Sequence, residues 1–385
     1  MTHIPYSRQD INEDDIAAVI AVLRSDFLTQ GPSGPAFEAA FAERHRVKFA
    51  ISVSNATAGL HIACLALGMG PGKRVWTSPN SFVASANCAL YVGAEVDFVD
   101  IDPASRNMSI EALEARLEAA EREGRLPDLL IPVDFSGLPS DLREMRALAD
   151  RYGFRILQDA SHATGATYLD GPVGSAYADI TVFSFHAVKV VTTGEGGMLT
   201  TNDEALAHSL KLLRSHGVTR ESADLERTPE GGWYYEQVKL GHNCRLTDIQ
   251  SALGLSQLGR LEDWQQRREA LADRYDRLLA NMPLKLPIRR QDRRSAWHLY
   301  VVELTDDCPA SRADVFAGMR AAGIGVNVHY IPIHTQPHYE RLGFKSGDFP
   351  NSERYYERAI TLPLFPAMTH AEQDIVVETL ERLVG

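Results

Sequence analysis

Lys189 stands in "SFHAVKVVTTGEGG" (184–197), between a β-like run and a glycine-rich turn. An ammonium is a poor nucleophile, but a lysine desolvated in a pocket loses its proton more readily and can attack a carbonyl. Taken alone it reads as a surface lysine ahead of a turn, and its neighbours weaken that reading. Asp159, in "QDASH", ends another strand-like stretch. It is either a helix N-cap or a carboxylate that holds a cationic ring nitrogen. A Schiff-base lysine and a carboxylate for a protonated ring together point to pyridoxal phosphate, whose ring is an electron sink for carbanion chemistry.

A phosphate needs its own cradle, and "SNATAG" (54–59) joins a strand to a helix. There Ala56 and Thr57 offer free amides at a helix N-terminus, and Ser184 adds a hydroxyl. The plainer reading makes Asn55 or Thr57 a simple cap. Phe82 follows "TSPN" and suits either the face of a flat ring or the core. His162, three residues after Asp159, is within reach of the same ring, although a lone histidine is more often structural. Neither a Walker pattern nor GxGxxG is present, which speaks against a nucleotide P-loop.

These residues must be brought together by the elements between them. From about 45 to 200, strand-like stretches at 48–54, 74–79, 95–102, 128–137 (a strand and its loop), 154–161 and 179–186 alternate with helical ones at 57–67, 81–94, 109–124 and 140–153. Apolar strands alternating with helices predict an α/β fold with a mostly parallel, doubly wound sheet. Ligands in such sheets lie beyond the strand C-terminal ends, where Asn55, Asp159 and Lys189 all fall. Residues 245–282 read as long helix broken near Gly259. A strand at 296–304, a helix at 311–323, a strand at 324–332 and a closing helix at 370–384 make a smaller α/β unit. The expected division is 1–245 and 246–385. The stretch 222–237, polar and rich in glycine and aromatics, reads as a lid or a dimer contact.

The 385 residues carry a net charge of −12, with 44% hydrophobic and 23% charged. That composition suits a globular protein and disfavours non-specific nucleic-acid binding. No apolar run approaches the roughly 20 residues of a membrane span, and "MTHIPYSRQD" lacks a signal-peptide pattern. Cys64, Cys88, Cys244 and Cys308 are scattered without a CxxC pair. The expectation is therefore no metal site and a reducing, cytoplasmic location.

The stretches "SNAT", "TSPNSFVASANCALYVGAEVDFVDID", "QDASHATGA", "SFHAVKVVTTGEGG" and "GHNCRLTDIQSALGLSQL" resemble the sugar-nucleotide aminotransferases. The likeness runs from "IPYSRQDI" to the last helix. It implies the fold of type I pyridoxal-phosphate transferases: a large domain with a mostly parallel seven-stranded sheet, and a smaller C-terminal domain. It further implies Lys189 as the Schiff-base lysine, Asp159 on the pyridine nitrogen, His162 near the ring hydroxyl and Phe82 on the ring. Ala56, Thr57 and Ser184 would hold the phosphate, joined by Asn243 from a second subunit with Arg245 in support. Tyr6, Thr29, Arg245, His329 and Tyr330 would line the pocket for sugar and glutamate.

Within the family, "SDFLTQGP", "AWHLYVV" and "NVHYIPIHTQPHY" look most like the pseudaminic-acid branch. That branch aminates UDP-2-acetamido-2,6-dideoxy-β-L-arabino-hex-4-ulose at C4 with L-glutamate, as a homodimer. Asp134 and Leu138 depart from the histidine and glutamine that relatives often carry, as does Ala187 from proline. Other 4-keto sugars, as in legionaminic acid, bacillosamine or perosamine synthesis, are the near alternatives. A 3-dehydratase of the same fold would carry histidine in place of Lys189, and a non-catalytic sensor on this fold would not need the lysine, carboxylate and serine set.

Overall fold

A computed structural model describes residues 3–169 and 171–385. Its centre is a seven-stranded sheet. The strands are β1 (Phe49–Val53), β2 (Arg74–Thr77), β3 (Glu95–Phe98), β4 (Leu129–Ile131), β5 (Arg155–Asp159), β6 (Ile180–Ser184) and β7 (Gly197–Thr201). Their spatial order is β1-β7-β6-β5-β4-β2-β3. Most pairs are parallel, while β7 runs antiparallel to both β1 and β6. "LLI" of β4 and "ITVFS" of β6 are buried throughout. Such unbroken burial is expected of a sheet covered on both faces.

Among the described residues, thirteen α-helices surround and extend this sheet: α1 (Glu13–Leu23), α2 (Ser33–His45), α3 (Ala56–Ala66), α4 (Ala84–Tyr91), α5 (Ile110–Glu123), α6 (Leu142–Tyr152), α7 (Glu204–Arg214), α8 (Asp248–Gly259), α9 (Leu261–Leu278), α10 (Arg312–Ala321), α11 (Pro337–Glu340), α12 (Pro350–Arg358) and α13 (His370–Val384). On α3, Leu60, Ala63 and Cys64 pack against Ile51, Val53 and Val182 of the sheet. The expected helix break falls at Arg260, between α8 and α9. Along α9 the packing changes: Leu261 and Trp264 join the cluster around Phe183 and Phe185. Leu271, Ala272 and Tyr275 join the C-terminal cluster of Tyr300, Val302, Val315 and Ile360. Ile4 also lies in that C-terminal cluster, and its backbone bonds Gly323 and Gly325.

The structure corrects two element boundaries and resolves a third stretch in detail. The strand and loop expected at 128–137 divide into a strand of three residues and a 3-10 turn at Phe135–Gly137. The helix expected at 81–94 becomes regular at Ala84, which leaves Phe82 in the turn before it. Residues 324–332 form no strand; they touch neighbours through the single bridges Ile4↔Ile324 and Asn327↔Thr361. A strand needs a run of ladder partners, and this segment turns away to carry His329 and Tyr330. Its place in the small sheet is taken by Ala359–Leu362, paired antiparallel with Tyr300–Leu304. Pro363 and Pro366 just beyond it hide that strand from a reading of the sequence.

The consequence for chemistry is geometric. Because β7 is antiparallel, its first residue pairs with the last residues of both neighbours: Gly197 with Val53 and with Ser184. The ends of β1, β5 and β6 therefore meet on one edge of the sheet.

Candidate active site

A cavity of about 610 Å3 opens at that edge. Of the residues singled out in the sequence, Ala56, Thr57, Phe82, Asp159, His162, Ser184 and Lys189 line it, as do Tyr6, His329 and Tyr330. Thr29, Asn243 and Arg245 do not. Thr29 and Asn243 are exposed and Arg245 is half-buried. Asn243 is held by a bridge to Ser215. Asp134 and Leu138 also stand off the cavity. Asp134 is fully buried and accepts from Ser140 N at 2.8 Å and from Gln158 Nε2 at 2.7 Å.

Lys189 sits in the turn after β6, its N–H bonded to His186 O at 2.9 Å. Its Nζ meets no hydrogen-bond partner among the described residues. Burial lowers its pKa to about 8, opposed by the Asp159 carboxylate. Desolvation disfavours the charged form of a lysine, so roughly a tenth is neutral amine at pH 7 and about half at pH 8. Asp159, at the end of the adjacent parallel strand, points into the same space.

At the mouth of β1 the two sequence readings turn out to be compatible. Asn55 caps α3, its side chain accepting from Ala58 N at 2.8 Å. Ala56 and Thr57 N–H find no acceptor among the described residues, and the helix N-terminus they crown attracts negative charge. Of the glycines in "TTGEGG", Gly197 makes room for backbone. A Cβ on Gly197 would come within 2.9 Å of Ala56 N and of Phe183 O, so glycine there lets β7 start against the cradle.

The opposite wall is imidazole and phenol. His162 Nδ1 accepts from Ser136 N at 3.2 Å, and its Nε2 lies 3.1 Å from Tyr330 Oη. His298 packs on it with ring centroids 4.5 Å apart. His329 bonds Thr361 Oγ1 at 2.8 Å and faces Tyr6 at 5.9 Å between centroids. Burial first, then the Lys189 charge, pushes all three histidines down, His329 to about 3. The wall is therefore neutral around the lysine. Phe82 lies across the opening, 59% exposed and 6.2 Å from the Tyr330 ring.

The sequence reading missed Ser85 and His298. Ser85 lies one helical turn from Phe82, a spacing that puts both near one face, and its Oγ donates to Asp159 Oδ2 at 2.7 Å. His298 stands in the quoted "AWHLYVV", where nothing but the motif could single it out.

A partly deprotonated lysine, a carboxylate one strand over and a helix N-terminus with spare amides fit the aldehyde, the ring nitrogen and the phosphate of pyridoxal phosphate. Lys189 Nζ and the two spare amides are polar groups without another partner, which is the mark of a site built for a further group. Fold and site define the class of pyridoxal-phosphate-dependent aminotransferases.

The comparisons narrow this. Residues 9–381 match the DegT/DnrJ/EryC1/StrS aminotransferase family. A spore coat polysaccharide biosynthesis protein, SpsC of Bacillus subtilis, is 38% identical over 99% of this chain and 97% of its own length. Among solved structures, Helicobacter pylori PseC, an aminotransferase involved in the biosynthesis of pseudoaminic acid, superposes with a TM-score of 0.91 at 31% identity. The match covers 100% of this chain and 99% of that one. The Spr1654 sugar aminotransferase of Streptococcus pneumoniae in its PMP form gives 0.91 at 30% identity, covering 99% of each. The chain belongs to the DegT/DnrJ/EryC1/StrS aminotransferase family, and its cofactor is pyridoxal 5'-phosphate.

Proposed function

We propose that this enzyme moves the amino group of L-glutamate to the C4 keto group of UDP-2-acetamido-2,6-dideoxy-β-L-arabino-hex-4-ulose, giving UDP-4-amino-4,6-dideoxy-N-acetyl-β-L-altrosamine. The observation that carries the reading is the buried Lys189 amine, held near a pKa of 8 in a cavity that also takes the Asp159 carboxylate. When bound, pyridoxal phosphate supplies the ring that accepts the electron pair released at the substrate carbon. Lys189 would hold the cofactor through its aldehyde and, once freed, would carry the proton to and from the reacting carbon. Asp159 keeps the ring nitrogen protonated. Ala56, Thr57 and Ser184 hold the phosphate, Phe82 covers the ring face, and His162 lies on the hydroxyl side. Tyr6, His329 and Tyr330 form the wall against the sugar, where neutral imidazoles can meet hydroxyl and carbonyl groups without competing for the lysine's charge.

A second copy completes the site in this reading. Asn243, Arg245 and Thr29 lie outside the cavity of their own chain, on surfaces that also expose Phe27, Leu28, Trp233 and Leu240. Apolar exposure on this scale marks an interaction face. The division of the chain at 245/246 belongs to the same reading, with α9 carrying the packing from one part to the other. Its place is the cytoplasm; among the described residues no helix is long and apolar enough to cross a membrane.

The relationship to the 38% identical spore coat protein favours, as the second reading, a different nucleotide-linked 4-keto-6-deoxy sugar with the same chemistry. NMR of the product formed from L-glutamate and the UDP-linked 4-keto sugar, beside a GDP-linked counterpart, decides between them. Amination of the GDP-linked sugar alone overturns the first reading.

A further inference from the structure

We propose that Ser85 is a positioning residue for Asp159, one that holds the carboxylate turned toward the cofactor's ring nitrogen. The inference rests on the reading of Asp159 given above and adds a residue to it. Asp159 is buried, and each of its oxygens has a protein donor: Oδ1 takes Ser161 N–H at 3.1 Å and Oδ2 takes Ser85 Oγ at 2.7 Å. Ser85 is in turn 2.8 Å from Ser81 Oγ. Either serine could be the donor in that pair on geometry alone. Chemistry sets the order. An ionised carboxylate only accepts, so Ser85 spends its proton on Asp159 and must accept from Ser81. Two hydroxyl dipoles therefore line up head to tail toward the negative charge, and in a buried setting such a chain polarises along its length.

Ser81 and Ser85 are both buried, at 3% and 1% exposure, and both line the cavity. They are four residues apart on the segment that also carries Phe82, so a single helical turn sets the ring face and the carboxylate together. Hydrogen bonds to the charged form of a carboxylate favour that form. A carboxylate that stays charged keeps the ring nitrogen protonated, and one that is fixed in orientation presents its lone pair to the ring without reordering.

The test is a set of variants read by more than turnover. For Ser85→Ala, pyridoxal phosphate binding to the cofactor-free protein, followed by equilibrium dialysis, is expected to weaken about tenfold, the usual scale for one charge-assisted hydrogen bond. The visible absorption of the holoenzyme is expected to titrate at higher pH, because a ring that has lost its proton no longer repels the proton on the lysine nitrogen. Ser85→Thr keeps the hydroxyl and restores both readings; Ser81→Ala shifts them in the same direction by less. Thermal melting of each cofactor-free variant separates these effects from a loss of fold. If Asp159→Asn moves affinity and titration while Ser85→Ala moves neither, the Ser85 role is wrong and the Asp159 reading stands. If Asp159→Asn itself moves neither, the underlying reading fails.

Discussion

Tyr330 Oη and His162 Nε2 lie 3.1 Å apart, and the direction of the bond between them is fixed from behind. Ser136 N–H points at His162 Nδ1, which must therefore hold the ring's lone pair. The proton is on Nε2, so His162 donates to Tyr330 and the tyrosine's own proton is left for a group in the cavity. Burial raises the Tyr330 pKa, with Asp159 adding to it, so that proton stays in place across the working range. Tyr330→Phe removes this donor and strands His162 Nε2–H. The expected result is a fall in kcat/KM for the keto sugar of about tenfold to a hundredfold, the cost of one to two such groups, with pyridoxal phosphate binding unchanged. Steady-state kinetics checks it, and unaltered kcat/KM would rule the donor role out.

Lys189 gives a pH signature in the cofactor-free protein. Its pKa falls from 10.5 to about 8 through burial. Between those values the unfolded chain binds more protons at this residue than the folded one does. The unfolding free energy therefore rises with pH across the interval. Lys189→Met should abolish that rise in urea titrations at pH 8, 9 and 10 and cut transamination by at least about a thousandfold. The rate of pyridoxal phosphate uptake by the unaltered protein should climb as pH passes about 8. A flat uptake rate would show that the amine is not the group being titrated.

What could be read in the sequence followed from local signals. The alternation of strands and helices placed β1, β5 and β6, and with them Asn55, Asp159 and Ser184, because buried parallel strands are continuous apolar runs. The antiparallel β7 was harder, since "GMLTT" follows a glycine turn with no periodicity of its own. Its partner in β1 is adjacent in the sheet but far away in the chain, Val53 against Gly197. Ser85 and His298 were invisible for a different reason. Each acts by touching a residue far away in the chain, Asp159 and His162, and no spacing encodes such a contact. Residues 324–332 show the opposite failure: their alternation is real, but strand pairing depends on what stands alongside, and there the chain meets the cavity instead.

Asp15 ties the first helix to the body of the protein. It is fully buried and accepts from Ser256 Oγ at 2.6 Å and Gln257 Nε2 at 2.7 Å, both on α8, and it pairs with Arg260. It also completes the capping box of α1 with Asn12. Asp15→Ala takes an acceptor from Arg260 and from three further donors, Ser256 Oγ, Gln257 Nε2 and Asn12 N–H, and removing one member of a buried pair typically costs about 3 to 5 kcal/mol. The expected loss is about 3 kcal/mol in urea unfolding of the holoenzyme, since Arg260 keeps some contact with solvent. A loss under about 1 kcal/mol would mean that water replaces the carboxylate.

Asp134 should show the reverse pH dependence to Lys189. Burial pushes its pKa up to about 7 from 3.8, although Ser140 and Gln158 donate to it, and Asp159 adds a smaller push in the same direction. The folded state holds the proton more tightly, so its stabilising effect is complete below about pH 4 and is lost as pH rises through 7. Asp134→Asn carries no charge to bury. Its amide can face Gln158 if that side chain turns over, because Thr181 Oγ1, now donating to Gln158 Oε1 at 2.9 Å, can accept instead. The variant should therefore gain stability relative to the unaltered protein between pH 5 and pH 8, by on the order of 1 kcal/mol or more. Because Asp134 lies off the cavity, kcat/KM for the keto sugar should stay within about threefold. Equal stability differences at pH 5 and pH 8 would show that Asp134 is already ionised at the lower pH, held there by its two donors against the cost of burial.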